Sequence, residues 1–315
     1  MREKIENVLI VVILSVFFVL LFVFSKDISF SIIFSISIWK DNLLPSLFPF
    51  FVMSDLLLAY GFVDIISFFL GAIMTKWFYL PKDAAFAFFV SLFSGFPSGS
   101  KYVNDLLNAK KISIDDANYL IMFTHFANPF FIVTTIGLFL LSNVKAGYII
   151  LISHILSNII VAFIFRKKKV ILNNDNNYKK AFYLSSPDKP FITILTNSIF
   201  KSFKTLVNML GIIMIFLMIT TIIKKIIPLT GITNGLLSGF LEMTQGVKYI
   251  SSLDISLPIK ASILSAIVSF SGLSVHFQVK SIIDETDIKY SNFLKARVVQ
   301  SFISFFLTLA IFKIL

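Results

Sequence analysis

The segment SGFPSGSK at residues 94–101 places three helix-breaking residues, three serines and one lysine directly after the apolar run AAFAFFVSLF. A helix that breaks inside hydrocarbon leaves backbone N–H and C=O groups unpaired, at a cost of several kcal/mol each. A helix that restarts there directs its free N–H groups and the positive end of its dipole into the break. This chemistry predicts a site for a carboxylate or phosphate, with Ser98 as the N-cap of a helix over 99–109. The candidate residues are Ser94, Gly95, Ser98, Gly99, Ser100 and Lys101.

A second segment, SAIVSFSGLSVHFQVKSII at residues 265–283, has the same construction. In both, a short apolar run leads to a Ser-Gly pair, small and polar residues, an amphipathic stretch, a charged turn and a long apolar helix. Paired interruptions in two halves of a chain indicate a transporter site near the middle of the membrane. Single serines and glycines also serve close helix packing, but packing requires neither Pro97 nor a repeated break. The candidates here are Ser271, Gly272, Ser274, His276 and Gln278.

Three ionisable residues in apolar surroundings are further candidates, because such groups are functional by default. Asp55 can neutralise a cation, carry a coupling proton or pair with a lysine. Lys101 adds a positive charge to the restarted helix, unless the hairpin is shallow and its ammonium group extends to the membrane interface. Arg297 can complement a second carboxylate or, with Lys295, form a basic flank at the membrane surface.

The dipeptide Asn128-Pro129 interrupts the long apolar helix that the sequence predicts at 114–142. Proline removes one helical N–H and frees a carbonyl group. A kink that shapes packing is one interpretation. The other places Asn128 in the same cavity, with His125 one turn away as a coupling or charge-balancing group.

Several function classes are disfavoured by what the sequence lacks. There is no cysteine, and no two of the three histidines are four residues apart, so we expect no disulfide, metal or other cofactor. Neither a G-x-S-x-G elbow nor a phosphate loop with the required spacing is present, and we expect no enzyme activity. The net charge of +11 comes with lysines that flank apolar spans, so it does not indicate a nucleic-acid partner.

The composition is that of a membrane protein. Hydrophobic residues make up 57% of the chain and charged residues 14%, against about a quarter in soluble domains. We therefore predict an all-α polytopic membrane protein with roughly eight to ten membrane segments. The predicted helices cover about 7–25, 42–60, 62–79, 114–142, 144–165, 206–227, 230–246 and 289–314. Residues 28–40 form an amphipathic or partly inserted stretch, and residues 198–206 an amphipathic helix along the membrane surface. The broken segments are 84–109 and 258–284.

The polar stretch at 173–190 divides the chain into two apolar halves. We predict a signal-anchor helix and amphipathic stretch over 1–40 and a first repeat with its following helix over 41–165. A basic, cytosolic linker over 166–190 precedes a second repeat over 191–315. Each repeat contains a discontinuous helix or re-entrant hairpin, and the sequence leaves open whether the repeats are inverted or parallel.

Four motifs together resemble the YlbJ (SpoVV) family of sporulation integral membrane proteins, within the wider group that carries the nucleoside-recognition, or Gate, domain. They are LPSLFPFFVMSDLL (44–57), SGFPSGSK (94–101), ANPFF (127–131) and SGLSVHFQV (271–279). The resemblance implies a multipass protein at the outer forespore membrane of a sporulating bacterium that moves dipicolinic acid from the mother cell. It also implies a likeness to nucleoside transporters whose re-entrant hairpins form the substrate site.

Dipicolinate is a planar aromatic dianion, which suits helix N-termini, Lys101, His276 and serine hydroxyls within an aromatic wall. The expected wall residues are Phe96, Phe126, Phe130 and Phe277. The residues alone indicate only a transporter of a small anionic or polar solute in a lipid bilayer. A carrier of nucleosides or other metabolites, and a membrane assembly protein for spore maturation that moves no solute, remain alternatives. The sequence leaves oligomeric partners and energy coupling open.

Overall fold

The computed structural model describes residues 2–166 and 189–314, and all regular structure in these ranges is helical. This confirms the all-α membrane class. The α-helices are α1 (Arg2–Val23), α2 (Ser25–Ile38), α3 (Leu44–Ala59), α4 (Phe62–Ile73), α5 (Ala84–Ser94), α6 (Ser98–Asn108), α7 (Ile114–Leu120), α8 (Val144–Ile164), α9 (Phe191–Ile226), α10 (Gly231–Leu241), α11 (Met243–Ser252), α12 (Leu257–Phe270), α13 (Gly272–Ile283) and α14 (Tyr290–Ile314). Wider π-helical turns occupy Trp39–Leu43, Met74–Phe78 and Phe131–Leu140.

Four helical stretches of the described residues are long and apolar enough to cross a membrane, namely Val144–Ile164, Phe191–Ile226, Leu257–Ile283 and Tyr290–Ile314. The number rises to six if two sharply bent helix pairs each count as one span. The larger number predicted from the sequence counted the members of bent pairs separately and included the broken segment that forms the short helices α5 and α6.

The longest helix, α9, organises the rest of the molecule. Its 36 residues extend about 54 Å, well beyond the roughly 30 Å of a hydrocarbon core. The predicted surface helix at 198–206 is therefore wrong, because these residues belong to the continuous helix α9. Apart from Gly211, α9 contains no helix-breaking residue, so nothing in the chain separates an amphipathic segment from the apolar one.

Helices α2 and α3 run antiparallel to α9 along most of its length. Ser31 bonds Thr221 at 2.6 Å between their hydroxyl oxygens, and at the other extreme the ring centroids of Tyr60 and Phe191 are 6.4 Å apart. We call the end where α8 finishes and α9 begins the linker end, and the end where α9 finishes the far end. The predicted linker at 166–190 lies almost entirely outside the described residues.

Helix α4 lies across the linker end of the molecule, at a sharp angle to α3. The combined run 62–78 bends by 92° from α3. The Phe78 ring centroid lies 5.4 Å from that of Phe163, near the end of α8, and the Arg166 guanidinium is 4.7 Å from the Tyr79 ring centroid. This end also holds the largest apolar core, where Phe78, Phe88 and Phe123 meet.

The first break forms a re-entrant hairpin from α5 and α6. The carboxylate of Asp83, just before α5, accepts a hydrogen bond from Ser67 of α4 at 2.7 Å. Lys111, just after α6, pairs with Asp64 of the same helix at 2.7 Å. Because both ends of the hairpin attach to α4, its tip at residues 95–97 points into the molecule from the linker end.

The second break has a different geometry, since α12 and α13 continue as one span over 257–283. The break is confined to Ser271 and Gly272, whose φ angles are +78° and +73°. At the linker end, the backbone N–H of Lys289 donates to Asn118 Oδ1 at 2.7 Å. The first break therefore forms a hairpin and the second lies within one span. A charged turn follows each of them at the linker end.

The helix predicted at 114–142 unwinds over a longer stretch than Asn128-Pro129 alone. Helix α7 ends at Leu120, residues 124–128 have no regular structure, and the chain is helical again from Pro129, with π-helical turns from Phe131. We call residues 121–128 the unwound segment. Its backbone groups must find partners elsewhere in the fold.

Candidate functional site

The first break packs against the unwound segment through two glycines. At Gly95, with φ +79°, an added Cβ would lie 2.8 Å from the Cβ of Asn128. At Gly99, an added Cβ would lie 1.7 Å from the carbonyl oxygen of Thr124, so only a hydrogen atom fits. The close approach that Gly99 was expected to offer a ligand is made here by the protein's own backbone.

His125, in the unwound segment, joins the two breaks. Its Nε2 lies 2.8 Å from the hydroxyl oxygen of Ser271 in the second break. Its ring stacks on Phe96 at the hairpin tip, with centroids 4.8 Å apart and planes 11° from parallel, and meets Phe293 edge-on at 4.9 Å. The two breaks that the sequence singled out are therefore neighbours in space, with one imidazole between them.

Arg297 lies beside this imidazole and is completely buried. Its guanidinium group donates to the carbonyl oxygens of Met122 and His125 in the unwound segment and to Asn158 Oδ1 at 3.1 Å. It therefore satisfies carbonyls that the unwinding freed, and it is not part of a basic surface flank. Within residues 2–166 and 189–314, no carboxylate oxygen lies within 4.0 Å of this guanidinium.

Three polar residues that the sequence analysis did not single out complete the cluster. His154 accepts the backbone N–H of Ala127 at Nε2, 3.0 Å away, and its Nδ1 is 2.9 Å from the Ser269 hydroxyl oxygen. Asn158 donates to the carbonyls of residues 123 and 125, and Gln300 donates to the His154 carbonyl at 3.0 Å. The spacing was a usable signal, because residues 154 and 158, and 297 and 300, share a face within apolar helices.

Several buried polar atoms around the breaks have no hydrogen-bond partner among the described residues. They are Nδ1 of His125, Nε of Arg297, Oγ of Ser274 and, in α3, Oδ2 of Asp55. A buried polar group without a partner costs about 1–3 kcal/mol. Such groups cluster where a protein receives a polar ligand, and here they include a fixed cation.

Lys101 belongs to a separate cluster of four charges. Its buried ammonium group pairs with Asp55 of α3 and with Asp105, one turn further along α6, at 2.7 Å. Lys201 of α9 approaches from a partly exposed position, 2.8 Å from Asp105 and 3.8 Å from Asp55. Of the roles expected for Asp55, the structure shows the pairing with lysine, and the two acids balance the two bases.

The sequence has relatives among known proteins. Residues 42–145 match the family described as Gate, nucleoside recognition. Over 297 residues the chain is 30% identical to the sporulation integral membrane protein YlbJ of Bacillus subtilis, an alignment that covers 84% of this chain and 72% of YlbJ. The chain belongs to the YlbJ family of sporulation integral membrane proteins. No solved structure matches it.

In this YlbJ-family protein the Gate match spans Asp55, the first break and the unwound segment, and it ends before the second break. The division into repeats at 41–165 and 191–315 stays a prediction from the sequence. What joins the second break to the matched region in the structure is the contact between Ser271 and His125.

The remaining candidates of the first break mostly bond within the hairpin. Ser94 donates to the carbonyl of Val90 at 3.0 Å, and Ser100 donates to that of Pro97 at 2.6 Å. The prediction that Ser98 caps the helix is wrong, because α6 begins at Ser98 itself and its hydroxyl donates to the carbonyl of Gly95. The same carbonyl also accepts the backbone N–H of Ser98 at 3.1 Å.

In the second break, Gly272 packs on the junction of α10 and α11, where an added Cβ would lie 2.8 Å from the backbone nitrogen of Met243. His276 is buried, with Nδ1 2.8 Å from the Tyr290 hydroxyl and Nε2 2.9 Å from the Phe270 carbonyl oxygen. Ser274 and Gln278 are buried as well.

Of the four predicted wall phenylalanines, only two lie near the cluster. Phe96 stacks on His125, and Phe126 is buried with its ring centroid 6.4 Å from that of His154. Phe130 and Phe277 are 70% and 55% exposed, so they face away from it. Sequence proximity to a break did not determine which way these rings point.

Proposed function

We propose that this YlbJ-family protein is a membrane transporter of a small anionic solute, dipicolinic acid (pyridine-2,6-dicarboxylate), with the substrate bound between the broken helices. In this proposal it moves the acid from the mother cell across the outer forespore membrane during sporulation. The observation that carries the proposal is Arg297, a fully buried cation at the junction of both breaks with no carboxylate beside it in the described residues.

A buried charge is retained in a membrane protein when it is compensated or used. The carbonyl groups around Arg297 solvate its guanidinium but leave the positive charge in place, and Nε still lacks a partner. An anion that enters the junction would meet this charge together with the unpartnered hydroxyl of Ser274 and that of Ser271, which would exchange its bond to the Val268 carbonyl for one to the anion. Planar carboxylates match the planar donor arrangement of arginine.

The test is uptake of radiolabelled dipicolinate into proteoliposomes that contain the purified protein. We expect saturable uptake by the wild type, and Ser271→Ala to lower it about tenfold, since removing a hydrogen bond to a charged group costs about 1.5–3 kcal/mol. Ser262→Ala is the matched control, because Ser262 is buried in the same span but bonds only the Pro258 carbonyl one turn away.

Equal uptake by the Ser271→Ala and Ser262→Ala variants would show that the helix breaks are not part of the transport path. Absence of uptake by folded wild-type protein, under a proton gradient of either sign, would contradict transport and favour a role in membrane assembly. The two substitutions both remove one hydroxyl group, so a general loss of stability affects them alike.

The Gate match favours a second candidate, a carrier of nucleoside-like solutes, since that family is described by nucleoside recognition. Competition separates the two substrates in the same uptake assay. Inhibition by other pyridine dicarboxylates and not by nucleosides supports the first proposal, and the reverse pattern supports the second.

A further inference from the structure

A cavity of about 420 Å³ lies at the far end, between α2, the last turn of α9 and α11. It is separate from the residues of the helix breaks. Two lysines reach into it from different helices, Lys224 from α9 and Lys248 from α11, together with Gln245 and two serines. Its volume is within the range of small-molecule sites.

The charge of this cavity is unbalanced. Its lining contains no carboxylate, and no carboxylate in the described residues lies within 4.0 Å of either ammonium group. The neighbouring Lys225 pairs with Asp27 at 3.0 Å outside the lining, and Glu242 is occupied as the cap of α11. Two positive charges therefore face one cavity without a counter-charge from the protein.

Aromatic rings form the other part of the lining and hold the lysines. The ammonium group of Lys224 lies 5.4 Å from the Tyr249 ring centroid, and that of Lys248 lies 5.4 Å from the Phe34 ring centroid. Phe30 adds a third ring to the wall. Cations over ring faces keep their charge and remain able to donate to an anion, while the rings offer flat apolar surface.

A second cavity, of about 310 Å³, lies at the linker end and provides a contrast. It is lined by Lys201 and Lys189 but also by Asp55, and Lys201 is already paired with Asp105 at 2.8 Å. Lys201 and Lys224 are separated by 23 positions in α9, about 35 Å along the helix. The two cavities thus lie at opposite ends of the molecule, and only the far one has unpaired cations facing aromatic rings.

We infer that the far-end cavity binds small aromatic carboxylates and gives the transported acid a second site, on the side opposite the linker. This rests on the proposed function for the identity of the substrate. The two ammonium groups bind the carboxylates, and the rings of Phe34 and Tyr249 contact the planar body of the ligand. The site at the helix breaks and this cavity would then hold the substrate in succession along one path.

The test is equilibrium binding of radiolabelled pyridine-2,6-dicarboxylate to the full-length protein in phosphatidylcholine nanodiscs. We expect two sites in the wild type and the loss of one in the Lys224→Gln/Lys248→Gln variant, with binding at that site weakened at least about tenfold. Lys225→Gln/Lys260→Gln is the matched control. It removes the same charge from lysines whose partners are Asp27 and the Ser251 carbonyl, and we expect it to keep both sites.

Equal binding by both double variants would overturn the inference. The Lys224→Gln/Lys248→Gln variant, which we call the cavity variant, can also be compared with the wild type by native mass spectrometry. If it loses bound phosphatidylglycerol but keeps wild-type dicarboxylate binding, the cavity holds a lipid phosphate and the inference is likewise wrong. If the cavity variant still binds one dicarboxylate per protein at the remaining site, this binding shows that the variant is folded. Because binding is measured without transport, loss of uptake with both sites intact would contradict only the proposed function.

Discussion

Single residues in this protein show how charge balance assigns roles inside a membrane. Lys101 was the cation expected to meet an anionic ligand, but its ammonium group is already paired with Asp55 and Asp105. Lys201 also pairs with Asp105, so this cluster contains two acidic and two basic side chains. Arg297 was considered partly as a surface flank, and it is the buried cation without an acid in the described residues. A positively charged residue is a better candidate for binding an anion when no carboxylate of the protein already neutralises its charge.

A substitution at Gly99 tests the contact between the first break and the unwound segment. We expect Gly99→Ala to lower the free energy of unfolding by about 1–3 kcal/mol, as overpacking does, and to lower dipicolinate uptake. The added methyl group would displace the Thr124 carbonyl, which is backbone and belongs to the unwound segment. Both quantities can be measured on the purified protein, by SDS titration in mixed micelles and by proteoliposome uptake.

Gly211→Ala in α9 is the control for this substitution, because no atom lies within 4 Å of an added Cβ there. Alanine is the better helix former by about 1 kcal/mol, so we expect equal or greater stability. If Gly99→Ala behaves like Gly211→Ala, the hairpin tip does not pack on the unwound segment as described.

At the scale of elements, the unwound segment is the feature that requires most support from its neighbours. Its carbonyls at residues 122, 123 and 125 accept hydrogen bonds from Arg297 of α14 and Asn158 of α8, and its N–H at residue 127 donates to His154. Irregular backbone at membrane depth persists only where protein or a cavity satisfies it. Helices α8 and α14 therefore support the unwound segment, on which the first break packs and to which Ser271 of the second break bonds.

Asn158→Leu tests this support, since leucine has a similar size and no polar group. We expect the free energy of unfolding to fall by about 2–5 kcal/mol, because the carbonyls of Phe123 and His125 lose a donor and Arg297 loses an acceptor. Asn208→Leu serves as control, since that side chain is exposed and bonds only the Ser281 hydroxyl. Equal stability of the two variants in SDS titration would show that Asn158 does not hold the unwound segment.

At the scale of the whole molecule, the chain leaves both breaks toward the same end, the linker end. The charged turns that follow them lie together, since Lys289 bonds Asn118 just beyond the first turn. The hairpin attaches by both ends to α4 at the linker end, and the second span returns there from the far end. The two charged turns therefore lie at the same end of the molecule, and we expect them on the same side of the membrane.

Single-cysteine labelling checks this arrangement, since the chain has no cysteine of its own. We expect a membrane-impermeant maleimide to label Ala109→Cys and Glu285→Cys from one side, and Thr230→Cys from the other. All three positions are exposed in the structure. Labelling of Ala109→Cys and Glu285→Cys from opposite sides would contradict the shared orientation of the turns.

The sequence by itself determined the membrane class, both breaks and the polar residues near them. These follow from local chemistry, because glycine and proline interrupt a helix and apolar runs require lipid or a core wherever they occur. The family resemblance likewise rested on local motifs, and the matched relatives confirm it. Most helix boundaries agreed to within a few residues for the same reason.

Only the tertiary structure decided which groups meet. Lys101 meets Asp55 of α3, and Lys201 of α9 meets Asp105 beside it, at sequence separations that local patterns do not encode. The partners of Arg297 come from the unwound segment and α8, at similarly large separations. Only the tertiary structure likewise showed that the first break forms a hairpin and the second lies within one span. The two segments have similar local composition and differ in the helices to which they attach. A buried charge takes its role from whatever folds against it, and that depends on the packing of the whole chain.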